Sequence, residues 1–175
     1  YHGELISADC FCALPRNHPL TRGRSISIRD LDGLPMGILQ SNHMLQQRLQ
    51  ESFDRLGARL RKRVDSQTFL PLLQFVAAGR CVAVVDPLTV ISESSINITR
   101  DQVVFRPLSE PLRYDYMIIF PRHRPLSQLA RMVMNAWREK LSELLNSISA
   151  NPHVQAISTD EASHEVDSTA KRQAG

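Results

Sequence analysis

Residues 68–87 read TFLPLLQFVAAGRCVAVVDP, from Thr68 to Pro87. Thr68 is a candidate helix cap. Phe69, Leu72, Leu73, Phe75 and Val76 then recur at helical spacing. Pro71 falls in the first turn, where its missing N–H costs little. Gly79 suits a left-handed stop after Ala77 and Ala78. Cys81–Val85 is a continuous apolar, β-branched run, the pattern of a parallel strand covered on both faces. Asp86 and Pro87 end it. A capped helix feeding a doubly buried strand predicts α/β architecture.

The flanks extend the alternation. Leu5–Leu14 (LISADCFCAL) predicts one strand, closed by Pro15, with a loop from Arg16 to Arg24. Ser27–Leu31 predicts a short helical turn capped by Ser27, with Gly33 as terminator. Met36–Leu39 reads as a buried strand. Leu45, Leu49, Phe53 and Leu56 then predict an amphipathic helix that starts from Ser41 or Asn42 and stops at Gly57. Leu60–Asp65 predicts a strand with a basic face. Beyond Pro87, Leu88–Ser92 suggests a helical turn, and Val103–Phe105 and Tyr114–Phe120 read as strands. Ser127–Leu145 reads as a helix whose apolar stripe includes Leu129, Met132, Val133, Ala136, Trp137, Leu141 and Leu144. Apolar density collapses near residue 149, which predicts a disordered tail over 149–175.

Composition narrows the function classes. No apolar run approaches the roughly 20 residues that span a membrane, and the N-terminus, without an initiator Met or a signal-peptide pattern, reads as the start of a fragment. The three cysteines lie in apolar stretches with no CxxC pair, so they read as buried hydrophobes and no metal or cofactor is expected. Of the net charge of +3, the segment after residue 150 carries two basic and four acidic residues; the rest has five more basic than acidic. The densest cluster, Arg59, Arg61, Lys62 and Arg63, lacks aromatic interleaving and reads as a solvated sheet edge rather than a nucleic-acid patch. None of the GxSxG, HExxH, P-loop or GxGxxG patterns occurs, the six histidines are dispersed, and no enzyme activity is expected.

What remains is a set of predicted helix starts rich in short polar residues. Gln40, Ser41 and Asn42 precede one helix, and Ser66, Gln67 and Thr68 another. Unpaired N–H groups and a partly positive dipole end make such a start a ready carboxylate site. Asp86, at the end of the apolar strand, could face a ligand cation. Taken singly, each cluster is also an ordinary cap. Convergence on one crevice would favour ligand binding.

Three passages carry a family resemblance. CALPRNHPL resembles the "strand, Pro, x, x, His-Pro-Leu" passage of LysR-type effector domains; SISIRDLDGLP resembles their "Ser-x-x-Asp-Leu-x-Gly-x-Pro" passage; FVAAGRCVAVVDP resembles their "Val-x-x-Gly-x-Gly-Val-x-x-x-Pro" passage. Order and spacing also fit, over about residues 5–145. Arg80 and Cys81 depart from the pattern, which often has a neutral residue and a Gly there. The VVDPLT ending is similar to the subgroup that senses amino acids and opines.

The resemblance implies an α/β fold like type 2 periplasmic binding proteins, with two lobes and the first incomplete. Residues 1–21 would be a partial lobe one strand and crossover, 22–108 a complete lobe two, 109–148 the return to lobe one, and 149–175 the tail. It further implies a cytoplasmic regulator that forms homotetramers. DNA would be contacted only through an N-terminal helix-turn-helix absent from residues 1–175. A small amino-acid-like or opine-like effector would be held by Gln40, Ser41, Asn42, Ser66, Gln67, Thr68, Asp86 and Pro87. In that reading Thr68 and Ser41 donate to a ligand carboxylate, and Asp86 pairs with a ligand cation or fixes the hinge. A solute-binding protein of a transport system is the alternative, since the pocket physics would be alike.

Overall fold

Strands apolar on both faces need a covering layer on each side, and the described residues supply one. The structure, a computed structural model, describes residues 2–40, 43–120 and 125–148. Ser41, Asn42, His123 and the expected tail from residue 149 lie outside them. In chain order the elements are β1 (His2–Asp9), β2 (Phe11–Pro15), β3 (Pro35–Leu39), α1 (Met44–Leu56), β4 (Arg61–Ser66), α2 (Phe69–Ala77), β5 (Val82–Val85), α3 (Pro87–Ile96), β6 (Val103–Pro107), β7 (Arg113–Phe120) and α4 (Gln128–Ser147). Two 3-10 turns, Pro19–Arg22 and Ile28–Leu31, lie between β2 and β3.

The larger sheet has the order β4-β3-β5-β2-β6. β3 runs parallel to both β4 and β5, whereas β2 runs antiparallel to β5 and β6. The expected parallel strand is therefore parallel on one side only. Period-2 alternation sends side chains to two separate cores. Cys12, Leu14, Met36, Ile38, Val82 and Val84 join Leu45, Leu49 and Phe53 of α1 on one face. Phe11, Ala13, Ala83 and Val85 join Leu72, Leu73 and Val76 of α2, with Val90 of α3, on the other. The edge strand β4 presents Arg61, Lys62 and Arg63 to solvent, which discourages edge-to-edge pairing as the sequence suggested.

Local signals explain most element ends. Ser27 caps the second 3-10 turn in a capping box with Asp30. Gly57 (φ +65°) and Gly79 (φ +68°) adopt the left-handed conformation after α1 and α2, where a side chain would be strained. Ser127 caps α4 through a bond from the Ala130 N–H.

Two expectations need correction. Leu5–Leu14 is not one strand. It breaks at Cys10, whose N–H donates to the Leu112 carbonyl at 2.8 Å. On one side of that bond β1 pairs with β7; on the other β2 pairs with β6. The chain thus leaves one sheet for the other at Cys10 and returns near Leu112. Apolar residues on both sides of the break hid it from a hydrophobicity reading. The helical turn after Pro87 is also longer than expected, running to Ile96 and stopped by Asn97 at φ 49°.

The β1–β7 pair is covered less completely than the larger sheet. Of the expected stripe on α4, Leu141 is buried, but Leu129, Met132 and Val133 are 70%, 62% and 60% exposed. Leu5, Met117 and Ile119 on β1 and β7 are exposed as well.

Gly37 is required for packing between β3 and α2. A Cβ there would lie 2.5 Å from Leu72 Cδ1 and 2.9 Å from Cys81 Sγ. Gly37→Ala is expected to destabilise the chain by about 1–3 kcal/mol through overpacking, read as a lower urea midpoint with an unchanged m-value.

Candidate functional site

Three parallel strands end on the same edge of the larger sheet. The register pairs Leu39 with Ser66, and Met36 and Gly37 with Val82 and Ala83. The carboxyl ends of β3, β4 and β5 are therefore level, and each leads into a helix. α1, α2 and α3 begin at this edge, so their first-turn N–H groups and positive dipole ends collect there.

The sequence-predicted residues divide as follows. Gln40 is exposed at the end of β3; its N–H donates to the Ser66 carbonyl at 3.2 Å and its carbonyl accepts from the His43 N–H at 2.9 Å. Ser66 donates its hydroxyl to the Thr68 carbonyl at 2.9 Å. Gln67 is exposed. Thr68 occupies the N-cap position of α2 as expected, with extended backbone, but its side chain makes no capping bond. Asp86 and Pro87 are buried. The cap of α1 is neither Ser41 nor Asn42 but His43, whose Nδ1 accepts from the Leu45 N–H at 3.2 Å.

His43 also opens an aromatic cluster that the sequence reading missed. It stacks on Tyr114 at 5.8 Å between ring centroids, with Phe69 of α2 edge-on to both rings at 6.2 and 6.1 Å. Tyr116 lies 5.0 Å from Tyr114. The cap of α1 and the first residue of α2 thus meet a strand of the other sheet. A cavity of about 290 Å³ opens beside this cluster, walled by His43, Met44, Leu45, Arg48, Tyr114 and Met117. Tyr114 and Tyr116 stand two apart on one strand, and that spacing was the available signal.

Asp86 is fully engaged. Its carboxylate accepts from the Leu88 N–H at 3.2 Å, from the Thr89 hydroxyl, and from the Tyr116 hydroxyl at 2.5 Å. Tyr116 Oη in turn accepts from the Leu88 N–H at 3.1 Å. Burial, then the charge of Asp86, pushes the Tyr116 phenol well up, so it stays a donor. This network ties the start of α3 to β7. Beside it, Arg48 of α1 grips β7 by donating to Asp115 Oδ2 at 2.7 Å and to the Arg113 carbonyl at 2.8 Å. Arg48 and the Ser7 hydroxyl hold the Asp115 carboxyl below its ordinary value.

The thiols are unsuited to chemistry. Burial pushes Cys12 up to about 12 and Cys81 up to about 11, and burial followed by the Asp86 charge raises Cys10 further. A thiolate nucleophile needs the opposite shift. Among the described residues no group of His, Cys, Asp or Glu is placed to hold a metal ion, and no helix is long and apolar enough to cross a membrane.

Comparisons with known proteins agree with this geometry. The sequence profile of the LysR substrate binding domain matches residues 2–142. The transcriptional activator protein LysR of Escherichia coli K12 is 27% identical over 147 residues, covering 84% of this chain and 46% of that protein. HinK, a LysR family transcriptional regulator from Pseudomonas aeruginosa, superposes with a TM-score of 0.65 at 20% identity, over 81% of this chain and 49% of its own. The regulatory domain of CcmR from Synechocystis PCC6803, in complex with 2-PG, gives 0.64 at 17% identity, over 78% and 67%. The chain spans about half the length of the full-length relatives it matches.

Two outcomes follow from the network on β7. Tyr116→Phe is expected to cost about 1–3 kcal/mol, because a buried carboxylate loses a donor, measured by urea denaturation against Tyr114→Phe as control. Asp115 has a depressed folded-state pKa, so its stabilisation is present above the unfolded value of about 4 and is lost as pH falls through the lower folded value. Asp115→Asn should therefore lower stability at pH 7 and flatten its decline between about pH 5 and 2, followed by acid titration of the fluorescence-detected melt.

Proposed function

Because the chain belongs to the LysR substrate binding domain family, we propose that it is the effector-sensing module of a cytoplasmic, DNA-binding transcriptional regulator and acts by binding rather than by catalysis. The convergence of three helix N-termini on one edge, with an aromatic wall beside them, carries this reading. Such an edge favours a small ligand with a carboxylate, and the aromatic rings supply apolar contact area. The occupant is an amino-acid-like or opine-like molecule.

Within this reading residues 22–108 form lobe two. Residues 1–21 and 109–148 contribute to lobe one, which further chain outside residues 1–175 completes. The exposed apolar side chains of Leu5, Met117, Ile119, Leu129 and Met132 fit a surface awaiting that cover. DNA is engaged through a helix-turn-helix in that further chain, and the whole protein is a homotetramer. Ligand-driven closure of the lobes shifts the equilibrium by its differential affinity for the closed state.

Thr68 and Ser41 donate to the ligand carboxylate, with Gln40, Asn42, Ser66 and Gln67 around it. The Thr68 hydroxyl makes no capping bond at the start of α2, which supports its part. Of the two roles open to Asp86, fixing the hinge fits its three internal donors better than pairing with a ligand cation. The transport reading rests on fold alone, whereas the family relationship supports regulation.

Titrating amino acids and opines against the full-length protein by calorimetry should yield one saturable ligand, and Thr68→Ala and Ser41→Ala should each weaken it about tenfold, as expected for loss of a hydrogen bond to a charged group. Unchanged affinity in both variants would overturn the assignment.

A further inference from the structure

The start of α1 is held differently from the starts of α2 and α3, because its cap is an imidazole. His43 Nδ1 accepts from the Leu45 N–H at 3.2 Å, and the His43 carbonyl accepts from the Gln46 and Gln47 N–H groups at 2.9 and 3.2 Å. At α2 the Thr68 side chain makes no capping bond, and at α3 the cap is the Asp86 carboxylate. A ring nitrogen that accepts carries no hydrogen, so the neutral His43 ring holds its hydrogen on Nε2. An imidazolium has a hydrogen on both nitrogens. It cannot accept from Leu45, and its charge opposes the positive end of the helix.

The surroundings let a protonated ring stay in the cluster while it gives up the cap. Tyr114 stacks on His43 at 5.8 Å and Phe69 lies edge-on at 6.2 Å, and aromatic rings attract a cation. The charged and titratable groups around His43 keep their state between about pH 5 and 8, where an imidazole changes its own. On β7, burial and then the Asp86 charge raise the Tyr114 phenol, and the same causes raise Tyr116 further. Arg48 and the Ser7 hydroxyl hold Asp115 below its ordinary value, so it stays charged. Arg48 of α1 and Arg113 of β7, which wall the cavity beside the ring, remain cations throughout. From α2 the ring meets Phe69, which does not titrate.

We propose that His43 is a positioning residue that acts as a proton-sensitive catch: the neutral ring fastens the first turn of α1 at the carboxyl edge, and protonation releases that turn from the edge it shares with α2 and α3. An effector seated on the three helix starts is then held less tightly as pH falls. That consequence rests on the function proposed above, whereas the catch itself does not.

Amide exchange of the full-length protein, read by mass spectrometry without added ligand and scaled to the intrinsic rate at each pH, tests the catch. Protection over residues 44–47 is expected to fall about fivefold between about pH 8 and about pH 5.5, as the loss of one cap implies. In His43→Asn, whose side-chain oxygen accepts at either pH, the fall should disappear. In His43→Ala protection over 44–47 should be low at both values. His18, whose Nδ1 accepts from the Leu20 N–H at 3.3 Å in the first 3-10 turn, is the control: His18→Asn should keep the response at 44–47. Circular dichroism melts verify that each variant is folded. Equal protection at the two pH values, an undiminished fall in His43→Asn, or a fall of the same size throughout the chain would each overturn the proposal. Since no effector enters the experiment, its failure is distinct from failure of the effector-binding reading.

Discussion

The parallel alignment of β4, β3 and β5 is the constraint on which the rest of the molecule depends. Parallel strands require crossovers, and here each crossover is a helix that starts at the carboxyl edge. One register therefore fixes the positions of three helix starts at once. The same alignment buries both faces of β3 and β5, and with them the alternating residues that separate the two cores. A substitution that shifted the register by one residue would exchange the core sets and scatter the helix starts.

The second sheet acts on that edge from outside. The strand pair formed by β1 and β7 continues the ribbon of β2 and β6 through the Cys10–Leu112 hydrogen bond. Tyr114 and Tyr116 on β7 are thereby carried to the starts of α1, α2 and α3. Asp86 is the point of greatest connection, since its carboxylate serves a helix start and a strand of the other sheet together. Rotation of one sheet relative to the other would have to break or redirect those bonds, so the network sets a cost for such a rotation.

Much of this was legible in the sequence. Helix and strand periods identified α1, α2, β5 and α4, with Gly57, Gly79 and Ser127 at helix ends, and Ser27 marked the second 3-10 turn. The three family passages supplied the larger architecture. The convergence of helix starts was not legible, because it depends on strand order, and order depends on long-range pairing. The break at Cys10 was masked by uniform apolarity. His43 escaped as a cap because Ser41 and Asn42 are commoner cap residues, and Asp86 looked available because its partner Tyr116 lies 30 residues away. Arg106 gave no signal at all. It is buried within β6, where it donates to the carbonyls of Thr21, Gly23 and Phe105.

The proposed function requires that a small effector sit on the helix starts at the carboxyl edge. Hydrogen–deuterium exchange of the full-length protein, with and without a saturating effector, addresses it most directly. Slowed exchange is expected in peptides spanning 40–46, 66–72 and 86–90 together, with little change over residues 61–65 of β4 or at the far ends of the three helices. Protection confined to other segments, or to only one of the three helix starts, would contradict it.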